Sequence, residues 1–105
     1  MSSSEATRAF AFIGWDGGRG LELRKRHRAA HLANLEPLDR QCRVIHAGPL
    51  LDEDGAPIGS IIVFLSESLE KAREFAASDP YVVEGIFERY EVRETRVVFP
   101  AKDAT

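Results

Sequence analysis

The sequence predicts an α+β domain of the ferredoxin-like class, with the element order β-α-β-β-α-β. Three observations predict it. Two long segments have the periodicity of amphipathic helices, four short segments have the apolar and aromatic character of strands, and turn residues separate them. A chain of 105 residues has the length of one domain. We therefore expect one four-stranded antiparallel sheet with its helices on one face.

The first strand and the first helix follow from two contrasting patterns. The segment RAFAFI, residues 8–13, is short and aromatic and predicts a strand that ends near Gly14. Residues 21–40 place leucine, alanine and charged side chains at helical spacing. Pro37 interrupts this pattern, so it either bends the last turn or ends the helix near Leu35.

A glycine-rich connector and a second strand come next in the predicted order. The connector, GWDGGRG at residues 14–20, matches neither G-x-G-x-x-G nor the P-loop pattern, so we interpret it as a flexible link. CRVIHAG, residues 42–48, predicts the second strand, which Gly48 and Pro49 stop. Cys42 is the only cysteine, and we expect it to be a small buried hydrophobe.

The third strand and the second helix have clear boundaries. LDEDGAP, residues 51–57, predicts a turn because Asp, Gly and Pro cluster between two apolar segments. IGSIIVFL then predicts the third strand at residues 58–65. Residues 67–77 predict a helix, for which Ser66 or Ser68 is the N-cap.

A short helical turn and an edge strand complete the domain. We expect the helical turn at residues 81–86 and the strand at residues 88–99, where mixed charges are typical of an exposed edge. The predicted domain covers residues 8–99. The polar ends, residues 1–7 and 100–105, are predicted to be disordered tails.

Composition and charge exclude several classes of protein. The chain is 44% apolar and 30% charged, the balance of a soluble globular protein. A net charge of -3 argues against a nucleic-acid partner, so we interpret the basic cluster as a solvated helix face: Arg24, Lys25, Arg26 and Arg28. No apolar segment is long enough to span a membrane and no signal peptide is recognisable, which predicts a cytoplasmic protein.

The predicted sheet is apolar on both faces. Phe10 and Phe12 alternate with further apolar residues, and IIVFL at 61–65 is apolar throughout. Two helices cover only one face of a four-stranded sheet, so the other face would leave a large apolar patch exposed. The sequence therefore predicts a homodimer.

His31 is the first candidate functional residue. Leu35 and Leu38 follow it at helical spacing, which places the imidazole on the apolar stripe. Such a histidine is either a hydrogen-bonded part of the core or a functional group. His27 lies one turn earlier, but Arg28 follows it where zinc-binding helices carry glutamate, so we predict no metal site.

Asp79 also has two interpretations. Aspartate followed by proline, here Pro80, is a frequent start of a helix, with the carboxylate as N-cap. The same carboxylate would be functional if it also contacted a histidine.

Three segments together resemble the YciI-like, or YCII-related, family: RAAHLANL at 28–35, HAGPL at 46–50 and SDPYVVEGIFERYEV at 78–92. The resemblance runs from the first strand to Phe99. It implies a ferredoxin-like domain that dimerises through its sheets as a dimeric α/β barrel, with a His-Asp pair in its active site. The matching positions are Arg28, His31 and Leu32 in one motif, Asp79, Pro80 and Tyr81 in another, and Ala47, Gly48 and Pro49 in a turn.

These features predict an enzyme that transfers protons on a small, partly hydrophobic organic substrate. Asp79 would orient one nitrogen of His31, and the other nitrogen would act as general acid-base in an isomerisation or elimination. The predicted substrate contacts are Phe12, Arg28, Gly48, Pro49, Phe64 and Tyr81. No pattern indicates a cofactor. The alternative is a non-catalytic module that binds a small ligand or acts through its dimer interface.

Overall fold

One antiparallel sheet and three helices make up the described part of the chain. The computed structural model describes residues 8–101. Its elements are β1 (Arg8–Asp16), α1 (Gly20–Arg40), β2 (Val44–Leu51), β3 (Pro57–Ser66), α2 (Leu69–Ser78), α3 (Pro80–Val83) and β4 (Phe87–Thr95). The strands pair in the order β2-β3-β1-β4, and every pairing is antiparallel. This order is that of the ferredoxin-like fold, which confirms the predicted class. The predicted tail at residues 1–7 lies outside the described residues, as do residues 102–105.

The end of α1 differs from one of the two expectations for that segment. The helix continues through Pro37 to Arg40, so a helix end near Leu35 is wrong. Proline removes one N–H from the ladder, and the neighbouring turns keep the helix together. Beyond the helix, Cys42 has a positive φ of 59° and its N–H donates to the Asp39 carbonyl at 2.9 Å. Cys42 is exposed, because it occupies the turn that ends the helix, and the prediction that it is buried is wrong.

Two strands extend beyond the glycines that were predicted to end them. β1 runs to Asp16, so residues 17–19 alone connect it to α1. β2 continues through Pro49 to Leu51. Because β2 is an edge strand, a residue without an N–H can sit in it without removing a bond from the interior of the sheet.

Local hydrogen bonds explain the remaining boundaries. Asp52 Oδ1 accepts from the N–H groups of Asp54 and Ala56, at 2.8 and 2.9 Å, and so fixes the predicted turn. Ser68, rather than Ser66, caps α2 by accepting from the Lys71 N–H at 3.1 Å. β4 lies at the sheet edge as expected, although it ends at Thr95, before the predicted limit of residue 99. In residues 8–101, no helix is both long enough and apolar enough to cross a membrane.

The core lies between the helices and one face of the sheet. Alternate strand residues point into it, and the largest of them are nearly inaccessible to solvent: Phe10, Phe12, Ile62 and Phe64. The intervening residues lie on the second face and are only half-buried: Ala11, Ile13, Ile61, Val63 and Leu65. The sheet is therefore apolar on both faces, and the helices pack against one of them.

Candidate active site

His31 and Asp79 lie in contact although 48 residues separate them. His31 Nδ1 is 2.8 Å from Asp79 Oδ1, and the two side chains are 10% and 0% exposed. A carboxylate only accepts hydrogen bonds, so Nδ1 carries the hydrogen and donates it. Nε2 is then the ring nitrogen that remains for other chemistry.

Asp79 also holds the start of α3. Its backbone is extended, with φ -64° and ψ 129°, because it ends α2 and begins the next helix. Oδ1 accepts from the Tyr81 N–H at 2.8 Å, and Pro80 fills the first helical position. The capping contact and the histidine contact that the sequence left open therefore both occur on one oxygen. Within the described residues, the buried Oδ2 has no hydrogen-bond partner.

Tyr81 supports the imidazole from its face. The two rings are parallel to within 2° and their centroids are 3.9 Å apart. Phe87 packs edge-on against Tyr81, and the Arg24 guanidinium lies 5.0 Å from its ring centroid. Burial raises the pKa of the Tyr81 phenol, and the positive charges of Arg24 and Arg28 oppose that rise. The phenol therefore stays neutral at physiological pH, as a packing partner of His31.

Arg24 forms a part-buried ion pair two turns before His31. Its Nε and Nη2 donate to the two carboxylate oxygens of Asp16 at 2.6 and 2.9 Å, and Nη2 also donates to Ser60 Oγ at 3.0 Å. The arginine and aspartate side chains are 11% and 6% exposed. The prediction of a solvated basic face is therefore wrong for Arg24, because it shares the inward stripe of α1 with His31. The spacing of seven residues between Arg24 and His31 could have indicated that Arg24 also points inward.

A cavity of about 460 Å³ adjoins this group. Its wall includes five residues predicted at the site: Arg28, His31, Gly48, Pro49 and Tyr81. Lys25, Ser60 and Ile62 also line it and were missed. Asp79 does not line the cavity itself, but it contacts two residues that do, His31 and Tyr81. This volume lies in the range of ~300–1,000 Å³ that is usual for small-molecule sites.

Phe12 and Phe64 lie elsewhere, in the core. Each is 1% exposed; Phe12 packs against Phe87 with centroids 6.0 Å apart, and Phe64 packs against Phe75 at 4.9 Å. Strand alternation places both on the inner face of the sheet, but beneath the helices rather than along the cavity. Their predicted role in binding a substrate is corrected to core packing.

The described part of the chain brings no cluster of metal ligands to the pair. Within residues 8–101, no three histidine, cysteine, aspartate or glutamate side chains come together in a way that could hold an ion. His31 already donates from Nδ1 to Asp79, which leaves its Nε2 as a single ligand.

Comparison with known sequences places these residues in a wider context. The family model for the YCII-related domain matches residues 9–96. Protein YciI of Escherichia coli is 38% identical over 90 residues, which cover 80% of this chain and 92% of that protein. An uncharacterised protein of Haemophilus influenzae is 34% identical over 85 residues, covering 75% and 87% of the two chains.

A solved structure is similar over most of the fold. It is 5-chloro-2-hydroxyhydroquinone dehydrochlorinase from Burkholderia phenoliruptrix in complex with 2,5-dihydroxybenzoquinone. The TM-score is 0.74 and the identity is 29%, over 84% of this chain and 93% of that chain.

Proposed function

Because the chain belongs to the YCII-related domain family, we propose that it is an enzyme that transfers a proton on a small, partly hydrophobic organic molecule. His31 is the general acid-base and Asp79 is its positioning partner. The contact between these two side chains beside a cavity is the observation that carries the proposal.

The proposed chemistry follows from the protonation state of the pair. With Nδ1 donating to Asp79, Nε2 of the neutral ring has a lone pair that can take a proton from an acidic carbon of the substrate. The ring then becomes an imidazolium, whose charge the adjacent carboxylate balances in a site with little solvent. Nε2 can return the proton to another atom of the substrate, which completes an isomerisation, or the carbanion can expel a leaving group, which completes an elimination.

The similar solved structure supports this reaction class. Dehydrochlorination removes hydrogen and chloride from an organic molecule, which is an elimination, and that protein holds a small ring compound. In this chain, Ile62 and Leu35 supply apolar wall and Tyr81 supplies an aromatic one. These surfaces suit the carbon skeleton of a compact substrate.

We further propose that the chain works as a homodimer joined through the second face of the sheet, in the arrangement of a dimeric α/β barrel. The half-buried side chains of Ile13, Ile61 and Val63 support this proposal, because the helices leave that face uncovered. A second copy of the same face would bury them.

A non-catalytic ligand-binding module is the second candidate. The contact that favours it is the bond from the Tyr81 N–H to Asp79, since a helix cap alone explains why an aspartate is needed there. In that case His31 would satisfy the buried carboxylate and orient a ligand that leaves unchanged.

An isotope experiment separates the two candidates. The protein is incubated in D₂O with a metabolite extract, and mass spectrometry then identifies compounds that gain deuterium or change mass. We expect conversion or exchange with the wild type and with His27→Gln, a matched control one turn away on α1, and none with His31→Gln. A ligand recovered without deuterium, or equal conversion by His31→Gln, would reject acid-base catalysis.

A further inference from the structure

We propose that the substrate is a carboxylate, and that the cationic end of the cavity recognises its charged group. The cationic end consists of Lys25, Arg28 and Ser60. This inference rests on the proposed function in taking the cavity as the substrate site. It adds the chemical class of the substrate and the residues that select it.

Positively charged side chains predominate around the cavity. Lys25 and Arg28 line it, and within residues 8–101 neither side chain lies within ion-pair distance of a carboxylate. Arg26, which does not line the cavity, pairs with Glu22 at 3.5 Å. In the described residues, no aspartate or glutamate forms part of the wall. An anionic ligand would therefore meet positive charge that pairs with no carboxylate of the described residues.

Ser60 adds an oriented donor to this end. It is 5% exposed, and its Oγ accepts from the Arg24 guanidinium at 3.0 Å. Since the Arg24 guanidinium already donates to this oxygen, the hydroxyl hydrogen of Ser60 remains to be donated to another group. In the described residues, the hydroxyl has no protein acceptor within hydrogen-bond distance. A carboxylate oxygen in the cavity would supply that acceptor.

The positions along α1 separate the two ends of the cavity. Arg28 precedes His31 by three residues, about 4.5 Å along the helix, and Lys25 precedes it by six, about 9 Å. On β3, Ser60 lies at the Arg24 end, and Ile62 follows on the same face, roughly 7 Å away. Leu35 lies one turn beyond His31. The imidazole is therefore between a cationic end and an apolar end.

This order fits a substrate with a defined layout. Its carboxylate would contact Arg28, its acidic carbon would face His31, and its hydrocarbon part would lie against Ile62. A nearby positive charge also stabilises the negative charge that develops when a carbon close to a carboxylate loses a proton. The same side chains would thus bind the ground state and assist the proposed reaction.

Matched acids and amides test the charge preference directly. The probes are benzoate, phenylacetate and 3-phenylpropanoate, each compared with its primary amide, which has nearly the same shape and no charge. Affinities are measured by ligand-observed NMR on the full chain. We expect at least one acid to bind about tenfold more tightly than its amide, the difference expected when a charged hydrogen bond is lost. Equal binding of all three pairs would overturn the inference.

Two substitutions assign the preference to the cavity. Arg28→Gln should remove most of the difference between the acid and its amide, and Arg28→Lys should restore part of it. Arg26→Gln is the matched control, since it removes the same charge from the same helix outside the cavity. If Arg26→Gln weakens acid binding as much as Arg28→Gln, the effect comes from the overall charge of the helix and the inference is wrong.

His31→Gln separates this inference from the proposed function. That variant should keep its preference for the acid, because the carboxylate does not bind at the imidazole. If the preference is present but no variant or wild type turns over any compound, the ligand class stands and the catalytic proposal fails. If turnover depends on His31 but acids and amides bind equally, the ligand class fails and the catalytic proposal stands.

Discussion

The imidazole of His31 lies flat on the ring of Tyr81, with 3.9 Å between their centroids. Asp79 holds the edge of the same imidazole through Nδ1. One contact fixes the plane of the ring and the other fixes its rotation within that plane. Tyr81 follows Asp79 by two residues, so a single short segment, the start of α3, provides both constraints.

Two substitutions of Tyr81 should distinguish the contribution of its ring from that of its hydroxyl. Tyr81→Phe keeps the stack and loses only a long hydrogen bond, 3.5 Å, to the Arg24 carbonyl. We expect unfolding free energy within about 1 kcal/mol of the wild type and unchanged turnover. Tyr81→Ala should cost about 3–5 kcal/mol, because it empties a fully buried site, and should reduce turnover in the remaining folded protein. Denaturant unfolding and kcat measure both. A loss of turnover in Tyr81→Phe would assign chemistry to the hydroxyl.

The phenol of Tyr81 should lose its proton at a higher pH than free tyrosine does. Burial raises its pKa above the ordinary value of about 10. In Tyr90→Phe, Tyr81 is the only tyrosine, so tyrosinate absorbance reports its titration alone. The unfolded chain loses this proton first as the pH rises. Stability from this group is therefore complete below pH ~10 and is lost as the pH rises through the folded pKa. A midpoint at or below that of free tyrosine would contradict the assignment.

Asp79→Asn should distinguish the cap from the histidine contact. Asparagine is also a good N-cap, so α3 should remain in place, but the amide removes the charge that balances an imidazolium. We expect kcat to fall by about 10²–10⁴, the usual contribution of general acid-base catalysis. The matched control is Ser68→Ala, which removes the cap of α2 and should cost about 1 kcal/mol of stability with kcat unchanged. Unaltered kcat in Asp79→Asn would leave Asp79 as a cap only.

Local signals in the sequence were sufficient for much of this architecture. The order of elements, the Asp52 turn and the caps at Ser68 and Asp79 depend on residues within a few positions of each other. The position of His31 on the inward stripe also follows from helical spacing. These features could be predicted because neighbouring residues determine them.

Features that depend on the assembled sheet could not be predicted in the same way. Pro49 stays in a strand because β2 is at an edge of the sheet. Residues 44–51 lack the mixed charges that indicated an edge position for β4, so the sequence did not reveal this second edge. The ion pair of Arg24 with Asp16 requires β1 to continue beyond Gly14. The glycines within residues 14–20 indicated instead that the strand ends there. The alternation of side chains along a strand indicates the face on which Phe12 lies, but not its distance from the cavity along the strand. The predicted contact of Phe12 with the substrate needed that distance.

Gly20 should prove necessary for the part-buried ion pair of Arg24 with Asp16. A Cβ at this position would lie 2.5 Å from Asp16 Oδ2 and 2.7 Å from Asp16 Cβ. Gly20→Ala should therefore displace the carboxylate from Arg24 and cost about 1–3 kcal/mol, as expected of overpacking. Gly18→Ala is the matched control, since a Cβ there meets nothing within 4 Å. Denaturant unfolding of both variants checks this. Equal stability would mean that Asp16 moves without losing its partner.

The second face of the sheet should control the oligomeric state. Val63 is half-buried at its centre, opposite Ala11 of β1. In the proposed homodimer, Val63→Glu would bury an unpaired carboxylate between two sheets, which costs several kcal/mol per copy. We expect the wild type to sediment as a dimer and Val63→Glu as a folded monomer. Ala30→Glu, on the exposed side of α1, adds the same charge and should remain dimeric. A monomeric wild type at micromolar concentration, or a dimer that survives Val63→Glu, would mean that the copies do not meet through this face.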